Sequence, residues 1–326
     1  MRPPVFIVGC PRSGTSFLYR LLLSGGGFAS FHTQMNVFDV LEPIYGDLSV
    51  TKNKKAMLRE WLRSKAFEFS GLSANKIEAK VMAECSNGSD FLGTVMNEVA
   101  AKQGVDRWID STPTNIPHML RISRDFPEAL FIHIIRDGRD VALSLDKRGW
   151  SRPLPWDKKR SLLAAGIYWE WIVRKGRNYG AMLGPKYMEV RYDELVEHPE
   201  LPLRKIADFL QHDLDFDRIR GATAGLMNRR FTSFAEEVEG GNFTPVGRWK
   251  SKFSDNQLSR FESLVGKYLV ELGYPLSHSM NSSDQSFAVR IMRWVYINYY
   301  DFKQWAKVNT PLSRWMVSYS GILIDK

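Results

Sequence analysis

Pro11, Arg12, Ser13, Gly14, Thr15 and Ser16 form the stretch of the chain best suited to chemistry. They follow the apolar run Val5 to Val8, with Gly9, Pro11 and Gly14 as backbone punctuation, and lead into residues of helical composition from Ser16 to Leu23. They therefore occupy the turn of a strand, loop, helix unit. A loop so placed aims successive backbone N–H groups and the positive end of a helix dipole at one point, which is how proteins hold phosphate or sulfate. The expected ligand is an oxyanion.

The loop differs from the triphosphate-binding motif G-x-x-x-x-G-K-[ST], because Thr15 stands where that motif needs its lysine and the nearby cation, Arg12, lies inside the loop. Triphosphate hydrolysis is disfavoured on that ground. The elements that must position the loop can be followed along the chain. Ser24 to Gly27 ends the first helix, and Phe28 to Val40 runs into a short helix beside the mouth of the loop. Residues 52–69 and 87–103 have helical spacing. Arg107-Trp108-Ile109 is a short strand, followed by a turn from Asp110 to Asn115 that Pro113 stops. Ala129 to Ile135 is an apolar run of the kind buried on both faces of a sheet, and Arg136 to Asp140 follows it into another helix. A long aromatic helix covers roughly Asp157 to Tyr179, Lys186 to Tyr192 is a further strand, and a helix runs from about Asp255 to Leu272. Strands alternating with helices imply an α/β fold with a parallel β-sheet flanked by helices, and in such sheets ligands gather at the carboxyl ends of the strands.

With 326 residues, 44% of them hydrophobic, the chain can bury a large core. Its 45 basic and 36 acidic residues give a net charge of +9, which suits a polyanionic ligand without choosing one. Nucleic acid is not expected as a partner, because no basic helix or aromatic-stacking motif of a known kind is present. Cys10 and Cys85 are too few for a disulfide framework and fit a reducing compartment. The expected location is cytoplasmic, since the chain enters its first strand at once without a secretory pattern and has no run of ~18 apolar residues to span a membrane.

Four separated strings resemble the sulfotransferases that use 3'-phosphoadenosine 5'-phosphosulfate: PRSGTS at residues 11–16, IIRDGRDVALS at 134–144, VRYDEL at 190–195 and GRWKSKF at 247–253. The resemblance implies the P-loop NTPase-like sulfotransferase fold, with residues 1–276 as the sulfotransferase domain and 277–326 as an aromatic, basic helical extension packing on it. It implies that residues 11–16 hold the 5'-phosphosulfate, Arg136 and Ser144 the 3'-phosphate, Tyr192 the adenine side, and Arg248, Trp249 and Lys250 a late basic loop closing over the 3'-phosphate. The reading of the residues agrees, because Arg136 at a strand end and Ser144 two turns into the next helix can face one phosphate.

Sulfuryl transfer needs in-line attack by a hydroxyl or amine and stabilisation of the charge that develops on the sulfuryl oxygens and the leaving phosphate. Arg12 is the expected electrostatic stabiliser, since an arginine stays charged and donates hydrogen bonds without serving as the acid. Relatives with arginine in the loop often carry a glutamate on the segment after the first helix, whereas here that segment reads Phe31 to Asn36 without a carboxylate. His32, with an ordinary imidazole pKa of ~6.5, and Asp110, beside the Thr-Pro turn, are the expected proton acceptors, with Asp39 and Glu42 as alternatives. His118 and His133 are lesser candidates, His133 as a core polar group. No metal is expected, as no ligand cluster has zinc-like spacing. Trp156, Tyr168, Trp169 and Trp171 are expected on one helix, as core or as the lining of an acceptor pocket. The acceptor itself, a small molecule, glycan, lipid or peptide, is left open, as are a homodimer and peripheral membrane contact through the last fifty residues. A P-loop kinase and a donor-binding protein without turnover are the competing functions.

Overall fold

The unbroken run of apolar side chains along the first strand already dictates a sheet covered on both sides. In the computed structural model, which describes residues 1–151, 153–227, 244–277, 287–310 and 316, β1 (Val5–Gly9), β2 (Ile109–Asp110), β3 (Leu130–Ile135) and β4 (Tyr187–Arg191) form one sheet in the order β2-β1-β3-β4. All three pairings are parallel, with Val5 opposite Leu130, Gly9 opposite Ile134, Phe6 opposite Asp110, and Ile135 opposite Arg191. Phe6, Val8, Phe131 and Ile135 pack into one core with the long helix Ser161–Leu183 and the helix Gly88–Lys102. Val5, Ile7, Ile132, Ile134 and Val190 pack into a second core with α1 (Thr15–Ser24) and the helix Glu200–Leu210. Both faces being dry explains why β1 reads as an unbroken apolar run and β3 as one interrupted by His133 alone.

Several elements depart from the expectations. The segment expected as a short helix near Val40 is a five-residue π-helix, Val37–Leu41, running directly into the helix Glu42–Tyr45. A helix at Ala74–Glu84 was not anticipated. The long helix begins four residues late, because Lys158–Arg160 forms a separate 3-10 turn, and this leaves Trp156 outside the helix and 79% exposed. The helix Phe287–Asn309 packs on the long helix and buries Tyr296, Tyr300 and Ala306. Residues 240–243, where Gly240, Gly241 and Asn242 predict a loop, and 281–284, whose Asn-Ser-Ser-Asp composition predicts a linker, lie outside the described residues. No helix among the described residues is long and apolar enough to cross a membrane.

Candidate functional site

β1 delivers the chain to the sheet edge at Gly9, and the loop turns at once, with Ser13 N–H donating to the Cys10 carbonyl at 2.9 Å. Arg12 (φ 74°) and Gly14 (φ 101°) both lie at positive φ, a costly conformation for Arg12 and an ordinary one for glycine. Gly14 is required twice over, since a Cβ there would lie 2.3 and 2.6 Å from two ring carbons of Tyr192. α1 then starts at Thr15 with no side-chain cap, so its N-terminal dipole faces the loop. Ser13 Oγ is buried beside it with no hydrogen-bond partner among the described residues. Cys10 is fully buried, and burial pushes its thiol well above the usual range, so it packs the loop and is not a nucleophile.

The cations expected from distant strings converge on this loop. Arg12 Nε donates to Ser144 Oγ at 3.0 Å. Arg136 is buried with its guanidinium 4.4 Å from the centre of the Tyr192 ring, and it donates to the carbonyls of Arg12 (3.1 Å) and Pro245 (2.6 Å). Its Nε is buried with no hydrogen-bond partner among the described residues. Arg248 is buried too and donates to the Thr244 carbonyl at 3.0 Å. Burial, then repulsion from Arg148, Arg136 and Arg248, pulls Arg12 down to about 10, with Tyr192 opposing. Crowded guanidinium groups, a buried hydroxyl and a helix N-terminus at one strand end fit a ligand with several anionic groups. A nucleotide with a 5'-phosphosulfate and a 3'-phosphate is such a ligand.

The residues that hold these cations were the ones sequence reasoning missed. Asp137 caps the helix Gly138–Lys147 by accepting from Arg139 N–H, and Gly138 lies against Trp169, where a Cβ would meet the indole at 2.5 Å. Trp169 Nε1–H donates to the Arg136 carbonyl at 3.1 Å. Buried Arg139 pairs with Asp137 (2.7 Å) and Glu262 (2.8 Å), donates to the Pro275 carbonyl, and lies 3.6 Å from the centre of the Trp249 ring. Asp140, fully buried, accepts from the backbone N–H groups of Gly247 and Trp249, both at 2.9 Å, and lies 3.7 Å from Arg136. The signal was available in the alternating Arg-Asp-Gly-Arg-Asp run at a helix start, although the sequence alone suggested only a local ion pair. Of the other expected ligand residues, Thr15 is buried, Pro11 is half-buried and Ser16 is exposed. Trp249 is buried under Arg139, while Lys250 is exposed with its Nζ 5.8 Å from the Trp249 ring.

The proton-acceptor candidates separate by what already engages them. Asp110 ends β2 beside β1 and is buried; its Oδ1 accepts from Thr112 N–H (2.9 Å) and Asn115 Nδ2 (2.8 Å), and its Oδ2 from Thr112 Oγ1 (3.1 Å). Burial lifts its carboxyl to about 6 against the lowering effect of Thr112. His32 is exposed, its Nε2 2.9 Å from Ser30 Oγ. Glu42 is occupied by Arg121 on both oxygens (2.5 and 2.7 Å) and by Gly88 N–H. Asp39 pairs with Lys307 at 2.6 Å and lies 3.8 Å from His118; although burial raises its carboxyl, these two partners hold it below the usual range. His133 is a core group 2.6 Å from Tyr187 Oη, kept neutral by burial and by Arg177, with its pKa at about 3. Trp169 and Trp171 are buried, and Tyr300 meets Tyr168 edge-on and Trp171 at a tilt, so these aromatics are core. Among the described residues no group of three or more His, Cys, Asp or Glu side chains is arranged to hold a metal ion.

Comparison with known proteins gives three findings. The model of a family described as the Sulfotransferase family matches residues 3–217. Protein-tyrosine sulfotransferase A of Caenorhabditis elegans is 23% identical over 278 residues, covering 83% of this chain and 67% of that protein, and sulfotransferase 1B1 of Mus musculus is 27% identical over 157 residues, covering 42% and 52%. Among solved structures, a sulfotransferase domain from the curacin biosynthetic pathway superposes with a TM-score of 0.58 at 14% identity, covering 85% of this chain and 99% of that one, which is a likeness of fold.

Proposed function

Since the chain belongs to the Sulfotransferase family, we propose that Arg12, Ser144, Arg136 and Arg248 form its donor site and that Asp110 takes the proton from the acceptor. The reaction is transfer of a sulfuryl group from 3'-phosphoadenosine 5'-phosphosulfate to an acceptor. The observation that carries the site assignment is the meeting of Arg12 with Ser144 Oγ at 3.0 Å and of Arg136 with the Arg12 carbonyl at 3.1 Å beside the N-terminus of α1, where burial and then the charge of Arg148, Arg136 and Arg248 lower Arg12. The bound donor supplies the activated sulfuryl group. Arg12, positioned by Ser144 Oγ, neutralises charge that grows on the sulfuryl oxygens and the leaving phosphate, which is a stabilisation stronger in the transition state than in the ground state. Arg136, with an Nε–H left to donate, binds the 3'-phosphate.

For the proton, Asp110 is supported over His32 by its burial at the carboxyl end of the edge strand β2, beside β1, and by a carboxyl lifted to about 6, near working pH. Two unbridged, buried cysteines, Cys10 and Cys85, support a reducing compartment such as the cytoplasm. The acceptor is a hydroxyl or amine. Activity requires the Asp110 carboxylate, so turnover should fall as pH drops through about 6. Asp110→Asn should remove that acid limb together with most turnover, and His32→Ala should leave it in place; loss of the limb in His32→Ala alone would move the base to His32. Arg136→Ala should weaken the 3',5'-bisphosphate product far more than the analogue lacking the 3'-phosphate, and equal weakening would refute the 3'-site.

A further inference from the structure

In-line transfer fixes the side from which the acceptor must come. The donor fills the loop of residues 11–16, so the attacking oxygen approaches the sulfuryl group from the opposite, open side of Arg12. Two residues of the chain leaving β3 meet Arg12. Ser144, buried, takes its Nε–H at 3.0 Å. Trp150, 51% exposed, has the Arg12 guanidinium over its ring, 5.8 Å from the centre. Arg12 is thus met by a hydroxyl on its buried side and by an indole on its open side. An exposed tryptophan on a bare surface would mean little, but this one borders the cation proposed to act on the sulfuryl group.

The turn that carries Trp150 fixes it in place. The helix Gly138–Lys147 stops at Gly149 (φ 65°), whose N–H donates to the Asp146 carbonyl at 2.9 Å, and Trp150 N–H donates to the Leu145 carbonyl at 2.9 Å. These two bonds close a left-handed helix stop with backbone groups alone. Ser151 Oγ adds a bond to Asp146 Oδ1 at 3.3 Å. The indole is therefore not needed to end the helix. Its π-face meets the guanidinium of Arg12. The exposed remainder of the ring is a flat, apolar surface at the place where the acceptor arrives.

The geometry points to Trp150 as a specificity-determining residue of the transfer: the acceptor lays a flat ring along the indole while its hydroxyl meets the sulfuryl group beside Arg12. This rests on the donor-site reading above and not on the assignment of Asp110. The test is calorimetric titration of the full chain, saturated with the 3',5'-bisphosphate product, with 2-naphthol and with decahydro-2-naphthol, which share a skeleton and differ in flatness. The wild-type protein should bind the flat alcohol about two- to ten-fold more tightly. Trp150→Ala should erase that preference, and Trp150→Phe should restore most of it. Because backbone groups close the turn, Trp150→Ala should keep the wild-type melting profile and a bisphosphate affinity within a few-fold of wild type. In steady-state kinetics, Trp150→Ala should raise KM for the flat alcohol by the same factor and leave KM for the other unchanged, a split that a folding defect would not produce. Four results would overturn the inference: no binding of either alcohol, equal affinities in the wild type, a preference that survives Trp150→Ala, or a loss of bisphosphate affinity exceeding that for 2-naphthol, which would make the indole a platform for the donor. Failure of the bisphosphate to bind the wild-type protein would instead sink the donor-site reading, and the role of Trp150 with it.

Discussion

Gly14→Ala is the substitution whose cost can be worked most directly from the geometry. A Cβ at position 14 would lie 2.3 Å from one Tyr192 ring carbon and 2.6 Å from another, about 1 Å inside ordinary van der Waals contact, and φ is 101°. The backbone alone costs about 1–2 kcal/mol for a residue with a Cβ. The overlap adds about 1–3 kcal/mol as the ring is pushed aside. The displaced ring also leaves Arg136, whose guanidinium it faces at 4.4 Å, a contact of about 0.5–2 kcal/mol. The sum, about 2.5–7 kcal/mol, divides between folding stability and affinity for the bisphosphate product, because Tyr192 is shared by the loop and the Arg136 site. A double-mutant cycle separates the parts. In a Tyr192→Ala background the overlap and the ring's contact with Arg136 are both gone, so Gly14→Ala should cost only its backbone part, leaving a coupling of about 1.5–5 kcal/mol between the two positions. Chemical denaturation and calorimetric titration with the bisphosphate measure both sides of the cycle. Strict additivity in both readouts would show that Tyr192 does not lie over Gly14, and the account of how the loop meets Arg136 would fall with it.

Arg12→Ala should lower kcat about 10²- to 10³-fold while reducing product affinity far less; steady-state kinetics with product titration checks this, and equal losses would make Arg12 a binding group only. Arg139→Ala strands the buried carboxylates of Asp137 and Glu262, so urea denaturation should show a loss of about 3–5 kcal/mol. Adding Glu262→Gln should recover part of that loss, and a cost under about 1 kcal/mol would mean that these ion pairs are not what holds the helix start.

The parts of the fold legible in the sequence are those written in short-range pattern. Val5 to Val8 and Leu130 to Ile135 announced themselves because a parallel strand dry on both faces needs apolar residues at nearly every position, with His133 the exception here. The Pro11 to Ser16 turn was legible because its glycine and its abrupt change of period are local. The expectation that Arg12 and Ser144, 132 positions apart, belong to one donor site came from the family resemblance, whereas their direct hydrogen bond was not foreseen. What stayed hidden depends on tertiary partners. Asp140 serves the backbone of Gly247 and Trp249, and Arg139 serves Glu262 and Pro275, and nothing near residue 140 encodes those distant groups. Asp39 and Glu42 looked like free carboxylates until Lys307 and Arg121 were seen to occupy them. Trp156 was assigned to the long helix because its composition continues the pattern, whereas the 3-10 turn at Lys158–Arg160 resets the helix phase.

The family model stops at residue 217, yet the proposed donor site does not. Arg248 stands in the cation cluster, the amides of Gly247 and Trp249 occupy Asp140, and Glu262 and Pro275 fasten Arg139, all from beyond that limit. The span that is recognisable by descent is thus smaller than the span that works. Cutting the chain at the end of the recognisable part would uncap buried charges beneath the site, so a minimal active fragment has to extend at least through Pro275.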